Sequence, residues 1–121
     1  MSDRPKILIC DDEEGVRESL KLILEDNYDL LFAANGPECL KQVKSSGKID
    51  LVMLDIKMPH VDGLEVLKQI KAARPDIKII MVTGYRSSET AMDAVKYGVA
   101  EYIIKPFESR EILDAVKKTL K

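Results

Sequence analysis

The chain has 121 residues, which is enough for one buried core and too few for two, so we expect a single domain over residues 1–121. A formal net charge of −2 and a pI near 5.5 exclude an overall attraction for nucleic acid or for an anionic membrane. The longest apolar runs have strand length and no signal-like leader precedes them, so we expect a cytoplasmic protein without a membrane span.

The first half of the chain alternates strand and helix patterns. An apolar run over Lys6–Cys10 predicts the first strand, and helical spacing of apolar residues over 16–24 predicts the first helix. A second strand is predicted over Tyr28–Ala33. Asn35-Gly36-Pro37 opens a second helix, with proline in the first turn, where its missing N–H costs nothing, and Ser45-Ser46-Gly47 closes it.

The same alternation continues after the second helix. Leu51–Leu54 predicts a third strand, and His60 is expected at the surface of the turn that follows. Gly63–Ala73 predicts a third helix that stops before Pro75, whose ring disfavours helical geometry in the preceding residue. Ile77–Val82 predicts the fourth strand.

The last part of the chain predicts one more strand between two helices. Ser87 or Ser88 can cap the fourth helix, and Gly98 suits its left-handed exit. Glu101–Ile104 predicts the fifth strand, and Ser109 is expected to cap the fifth helix. Cys10 and Cys39 lie within these elements without C-x-x-C spacing, so we expect passive thiols.

Five strand–helix repeats without a hairpin signal predict an α/β fold with a parallel sheet covered on both faces. Right-handed crossovers place helices on both sides only if the strand order reverses once. We therefore expect a doubly wound, flavodoxin-like sheet of five parallel strands in the order 2-1-3-4-5. The carboxyl ends of the strands then meet at the edge where open α/β sheets bind ligands.

Charged residues follow three of the predicted strands. Asp11 and Asp12 follow the first, Asp55 follows the third, and Lys105 follows the fifth. Crowded carboxylates repel each other unless a divalent cation such as Mg²⁺ neutralises them, and a lysine opposite them suits an incoming phosphoryl group. The alternative for the first acidic pair is a helix start, where the backbone dipole favours negative charge.

These strand ends resemble the receiver domain of two-component and phosphorelay response regulators, the CheY-like superfamily. The resemblance covers the whole chain. It rests on these motifs in order: Asp11-Asp12, Leu54-Asp55-Ile56-Lys57-Met58-Pro59 with Asp62-Gly63, Thr83-Gly84, and Lys105-Pro106-Phe107.

The resemblance implies a Mg²⁺ site and a phosphoacceptor. Asp12 would bind the ion directly and Asp11 through water, with Asp55 and the backbone carbonyl of Lys57 as further ligands. Asp55 would also be the nucleophile that becomes phosphorylated.

The resemblance also implies roles for residues of the last two strands. Thr83 and Lys105 would each bind a phosphoryl oxygen, and a cis Lys105–Pro106 bond would aim the lysine into the site. Tyr102 would swing inward in the active state. Thr and Tyr are also common as ordinary packing residues in strands, so that simpler interpretation stays open for both.

The function implied is a Mg²⁺-dependent phosphoacceptor switch without turnover of an external substrate. A histidine kinase or histidine phosphotransfer protein would donate the group, and the output would be contact with a target protein, with no direct nucleic acid or membrane partner. We expect a monomer, with phosphorylation-dependent dimerisation left open.

Three alternatives are weighed against this function. A haloacid-dehalogenase-like phosphatase would need a D-x-D nucleophile motif, which Asp55-Ile56-Lys57 lacks. A flavin-binding module would place a cofactor phosphate beside the acidic residues 11–14, which would repel it. A degenerate receiver that only binds partners shares the fold and stays open.

Overall fold

A computed structural model describes residues 4–58, 61–84 and 88–121. The predicted surface position of His60 and the predicted cap at Ser87 lie outside these residues. Within them the elements in chain order are β1 Lys6–Cys10, α1 Glu14–Leu24, β2 Asp29–Ala33, α2 Gly36–Ser45, β3 Leu51–Leu54, β4 Lys57–Met58, β5 Val61–Asp62, α3 Gly63–Ala73, β6 Lys78–Thr83, α4 Ser88–Lys96, β7 Glu101–Ile104 and α5 Ser109–Thr119.

The main sheet is parallel, with its strands in the order β2-β1-β3-β6-β7. Counting only the five long strands, this is the predicted order 2-1-3-4-5, which is confirmed. The register places Cys10 beside Leu54, and Leu54 beside Met81. The strands β1, β3 and β6 therefore end close together, and the residues that follow them share one edge of the sheet.

The helices cover both faces of the sheet and enclose two cores. On one face α1 and α5 pack their apolar residues against Ile7, Ile9 and Met53. On the other face α2, α3 and α4 pack against Leu8 and its neighbours. The strands between the two cores are buried on both sides, as their continuous apolar runs predict.

The two thiols are placed as expected. Cys10 and Cys39 are free and buried in the same core. Burial raises the pKa of the Cys10 thiol, and a hydrogen bond with Cys39 raises it further. A thiol held protonated in this way is a poor nucleophile and metal ligand, in agreement with the passive role predicted.

Two local predictions are wrong. A short antiparallel ladder pairs Lys57 with Asp62 and Met58 with Val61, although the sequence carries no hairpin signal, because strands of two residues are too short to show a period. Ser109 is the first residue of α5 rather than its cap. Glu108 occupies the cap position, and its side chain makes no cap hydrogen bond.

Two other helices begin with a side-chain cap. Asn35 caps α2 by accepting a hydrogen bond from the Glu38 amide at 2.8 Å. Asp62 caps α3 in the same way through the amide of Leu64. In the described part of the chain, no helix has both the length and the apolar character that crossing a bilayer requires.

A close backbone approach holds the ladder β4–β5 against the end of β3. The amide of Gly63 donates a hydrogen bond to the carbonyl of Ile56 at 3.0 Å. A Cβ at position 63 would overlap the backbone of Ile56, so only glycine fits there. This contact fixes the segment that begins directly after Asp55.

Candidate functional site

The two central strands place two aspartates side by side at the carboxyl edge of the sheet. Asp11 follows β1, and its amide donates to the carbonyl of Ala33 at 3.0 Å. Asp55 follows β3, and its amide donates to the carbonyl of Cys10 at 3.1 Å. Both residues are buried, at 2% and 3% exposure. The backbone ladder thus continues one residue past each strand and holds both carboxylates at fixed positions.

The next two strands bring a threonine and a lysine to the same edge. Thr83 ends β6 and is fully buried, and its carbonyl accepts a hydrogen bond from the Lys105 amide at 2.9 Å. The Lys105–Pro106 peptide bond is cis, as the sequence resemblance implies. Tyr102 lies in β7 and packs, partly buried, against the core on the α2–α4 face.

The ammonium group of Lys105 joins the separate strand ends. Its Nζ lies 2.8 Å from Oδ2 of Asp11, 3.0 Å from Oδ2 of Asp55 and 3.1 Å from Oε1 of Glu13. The lysine therefore contacts side chains that lie at least 50 residues away from it in sequence. The predicted convergence of Asp11, Asp55 and Lys105 is confirmed.

Burial sets the electrostatics of this cluster. It raises the pKa of Asp11, and the hydrogen bonds from Lys105 and from the Glu13 amide reverse only part of that rise. Burial alone would lower the pKa of Lys105, but hydrogen bonds to Asp11 and Asp55 outweigh it and raise the pKa above its ordinary value. The lysine is therefore charged throughout the physiological range.

The acidic side chains form a set suited to a hard cation. One carboxylate oxygen from each of Asp11, Asp12, Glu13 and Asp55 lies within 4.8 Å of the others. Asp12 and Glu13 are exposed, so an ion can reach the cluster from solvent. Carboxylate oxygens are the ligands that Mg²⁺ prefers, and the donor set therefore fits Mg²⁺. Lys57 is the first residue of β4 and lies two residues after Asp55 in the sequence.

Sequence reasoning missed two residues of the site. Glu13 appeared only as part of an acidic helix start, yet its carboxylate contacts Lys105. Arg17 lies in the second turn of α1, and its guanidinium donates to the backbone carbonyl of Asp11 at 2.7 Å. The position of Glu13 directly after the acidic pair indicates only weakly that it belongs to the site. The sequence around Arg17 gives no such indication.

The cluster opens to solvent on the α1 side of the sheet. A surface cavity of about 540 Å³ adjoins Lys105. Its walls are Glu13, Gly15, Val16, Ser19, Lys105, Pro106 and Phe107. Glu13 and Lys105 are the two residues of the cluster that line this cavity.

Comparison with known proteins gives one consistent result. The family model of the response regulator receiver domain matches residues 7–117. Sporulation initiation phosphotransferase F of Bacillus subtilis is 38% identical over 116 residues, which cover 95% of this chain and 93% of that protein. This match favours the receiver interpretation over the phosphatase and flavin-binding alternatives.

Solved structures agree with the sequence comparison. A CheY-like receiver domain protein from Methanospirillum hungatei superposes with a TM-score of 0.93 at 36% identity, covering 98% of this chain and 94% of that one. A Burkholderia pseudomallei response regulator, described with a phosphorylated aspartic acid, calcium ion and citrate, superposes with a TM-score of 0.84 at 32% identity. That match covers 92% of this chain and 65% of the other.

Proposed function

This chain belongs to the response regulator receiver domain family, and on that premise we propose that Asp55 accepts a phosphoryl group from the phosphohistidine of a kinase or phosphotransfer protein. Receiver domains are signalling proteins that partner with such donors. The observation that carries the assignment is the 3.0 Å contact between Lys105 Nζ and Asp55 Oδ2 in a buried acidic cluster. The phosphorylated aspartic acid of the similar Burkholderia protein supports it.

The transfer is a direct displacement at phosphorus. A carboxylate oxygen of Asp55 forms the new O–P bond while the N–P bond of the donor histidine breaks and its nitrogen keeps the electron pair. Lys105 holds one transferring oxygen, and the hydroxyl of Thr83 holds another. Positioning and charge compensation supply most of the acceleration in such transfers.

The acidic residues have a separate task. Asp11, Asp12 and Asp55, with the backbone carbonyl of Lys57, would hold Mg²⁺ beside the nucleophile. Bound Mg²⁺ supplies charge neutralisation for the transferring oxygens. Because Asp11 also contacts Lys105, it couples the position of the ammonium group to that of the cation site.

Hydrolysis of the aspartyl phosphate resets the protein. Water attacks phosphorus, the O–P bond to Asp55 breaks, and the free carboxylate is restored. The domain thus catalyses its own phosphorylation and dephosphorylation and turns over no external substrate. The domain acts as a monomer whose protein-binding surface changes on phosphorylation. The changed surface can also bind a second copy of the chain, which would give a phosphorylation-dependent dimer.

The change of surface begins at Thr83. A phosphoryl group on Asp55 adds charge and acceptor oxygens within the cluster, which draws the Thr83 hydroxyl toward it. Tyr102 lies in the neighbouring strand, where Met81 is its register partner. Its side chain fills the space that Thr83 vacates, and this alters the surface around α4 and β7.

The acceptor is tested by intact mass spectrometry after incubation with acetyl phosphate and Mg²⁺. The wild type should gain one acid-labile phosphoryl group, and Asp55→Asn, which keeps the shape but loses the charge, should gain none. Asp62→Asn is the matched control, because asparagine can also cap α3, and it should behave as the wild type. Phosphorylation of Asp55→Asn at wild-type yield would show that another residue is the acceptor.

The same experiment separates the other two interpretations. A binding-only degenerate receiver would gain no phosphoryl group in the wild type. A phosphatase would release phosphate in many turnovers per protein molecule, whereas a receiver releases it only at the rate at which its own phosphoryl group is hydrolysed.

A further inference from the structure

We propose that Glu13 is a positioning residue that occupies, at Lys105, the place which a phosphoryl oxygen takes during transfer. Glu13 would thus be displaced each time Asp55 is phosphorylated. This proposal rests on the proposed function and assigns to Glu13 a restraining role in it. Three observations at the site carry it.

The first observation is the number of partners at the ammonium group. An ammonium has three N–H donors. Three carboxylate oxygens, one each from Asp11, Asp55 and Glu13, lie 2.8 to 3.1 Å from Nζ. A phosphoryl oxygen that is to receive a hydrogen bond from Lys105 must therefore displace a partner of Nζ, and these three carboxylates are the candidates in the described part of the chain.

The second observation is the difference in burial among the three partners. The side chains of Asp11 and Asp55 are 3% and 4% exposed, whereas that of Glu13 is 62% exposed. Asp11 remains a buried carboxylate during transfer, and loss of its cation would leave it desolvated, which is costly. Asp55 is the proposed acceptor itself, so its carboxyl group has to stay beside Lys105. An exposed carboxylate is solvated by water as it leaves, so its ion pair is weak. Glu13 is the partner that can be replaced at the smallest cost.

The third observation is that only the side chain of Glu13 needs to move. Its amide donates to Oδ1 of Asp11 at 2.9 Å, and its carbonyl accepts from the amide of Arg17 at 3.1 Å. These bonds fix the backbone at the start of α1. Glu13 lines the solvent-open cavity together with Lys105, so its exposed side chain can leave the ammonium toward solvent.

The proposal is tested with Glu13→Gln, which keeps the length and shape of the side chain. Glu14→Gln is the matched control, since it removes the same charge from the next residue, which is exposed. Phosphorylation rates are measured with acetyl phosphate at saturating Mg²⁺. We expect Glu13→Gln to be faster by about two- to fivefold, the range that loss of one exposed ion pair allows, and Glu14→Gln to match the wild type.

A second measurement reads the contact itself. The ¹⁵N resonance of the Lys105 ammonium, recorded in chelator, should shift in Glu13→Gln and stay unchanged in Glu14→Gln. A role limited to helix stability would change neither this signal nor the rate. Mg²⁺ affinity is measured for both variants by calorimetry without a phosphodonor, which separates an effect on metal binding from an effect on the Lys105 contact.

Three results would overturn the proposal. Equal acceleration in the two variants would show a general effect of charge on an anionic donor. Slower phosphorylation of Glu13→Gln together with weaker Mg²⁺ binding would show that Glu13 is a metal ligand. An unshifted Lys105 signal would show that the contact does not hold the lysine. A wild type that accepts no phosphoryl group would instead overturn the proposed function, and this proposal with it.

Discussion

Oδ2 of Asp11 lies 2.8 Å from Nζ of Lys105, the shortest of the three ion-pair distances at this lysine. The Lys105 side chain is only 15% exposed, so this pair is largely shielded from water. The lysine therefore acts as an internal cation that keeps the two buried aspartates together. Bound Mg²⁺ and the lysine would then both neutralise the charge of these two carboxylates. The effect of this overlap on stability can be measured.

Lys105→Met should lower the free energy of unfolding in chelator by about 1–3 kcal/mol, because two buried carboxylates lose their cation. Saturating Mg²⁺ should restore more stability to this variant than to the wild type. Urea unfolding with and without Mg²⁺ measures both effects. Lys48→Met is the control, since Lys48 pairs with Asp50 at 3.7 Å and is 83% exposed. An equal Mg²⁺ effect in Lys105→Met and the wild type would contradict the overlap.

The raised pKa of Asp11 predicts a specific dependence of stability on pH in chelator. Burial raises this pKa in the folded state, so between the ordinary value of about 3.9 and the raised value the folded protein binds more protons than the unfolded chain. Stability from this group therefore falls as pH rises through that window, and its cost is fully present above it.

Asp11→Asn removes that titration. Its advantage in free energy of unfolding over the wild type should grow from about pH 4 upward and then level off. Urea unfolding across this range measures the difference. Parallel curves for the two proteins would show that Asp11 does not carry the effect, and Glu14→Gln controls for the loss of one negative charge.

Removal of Mg²⁺ should abolish phosphorylation and lower thermal stability. A ligand that binds only the folded state, present at one hundred times its Kd, adds about 2.7 kcal/mol. Asp12→Asn should lose most of this gain in stability, because it removes one of the carboxylates proposed to bind Mg²⁺. Thermal melts with Mg²⁺ or chelator provide the comparison. Full phosphorylation in excess chelator would refute the metal site.

Gly63→Ala should destabilise the protein by about 1–3 kcal/mol, the usual effect of forcing an extra group into a packed site. The reason is the overlap of a new Cβ with the backbone of Ile56. Gly15→Ala is the control, because nothing lies near a Cβ there and α1 should gain about 0.5–1 kcal/mol. Chemical denaturation that ranks the two variants in the opposite order would refute this packing argument.

The proposed coupling between Thr83 and Tyr102 predicts which backbone NMR signals phosphorylation should shift. Beryllofluoride with Mg²⁺, a phosphoryl mimic, should shift backbone NMR signals over residues 83–107 more than those of α2. Thr83→Ala should weaken these shifts without preventing phosphorylation, since the acceptor is on another strand. Shifts confined to the neighbours of Asp55 would leave both residues as ordinary packing residues.

The fold and the centre of the site could be predicted because both depend on strand ends. In a parallel sheet whose order places β1 beside β3, the residues after Cys10 and Leu54 have to be neighbours. The contact between Glu13 and Lys105 could not be predicted in this way. It depends on the rotamers of two long side chains 92 residues apart, and no local pattern records them.

Element boundaries were harder to predict for an energetic reason. Serine is a better cap than glutamate, yet α5 starts at Ser109 and uses Glu108 as its cap position. Ile112 and Val116 are fully buried against the sheet, and their burial contributes more than a cap does. Packing therefore fixes the face of α5 that meets the sheet, whereas neighbouring cap residues differ too little in free energy for a local pattern to place the first residue of the helix.

The position of Lys105 directly after β7, the last strand in the sequence, has a consequence for biosynthesis. Chains are made from the amino end at about 5–20 residues per second, so the acidic residues leave the ribosome several seconds before the lysine. Until β7 pairs with β6, the carboxylates of Asp11 and Asp55 lack the ammonium group of Lys105. The contacts of Lys105 with Asp11 and Asp55 therefore form only after β7 has joined the sheet.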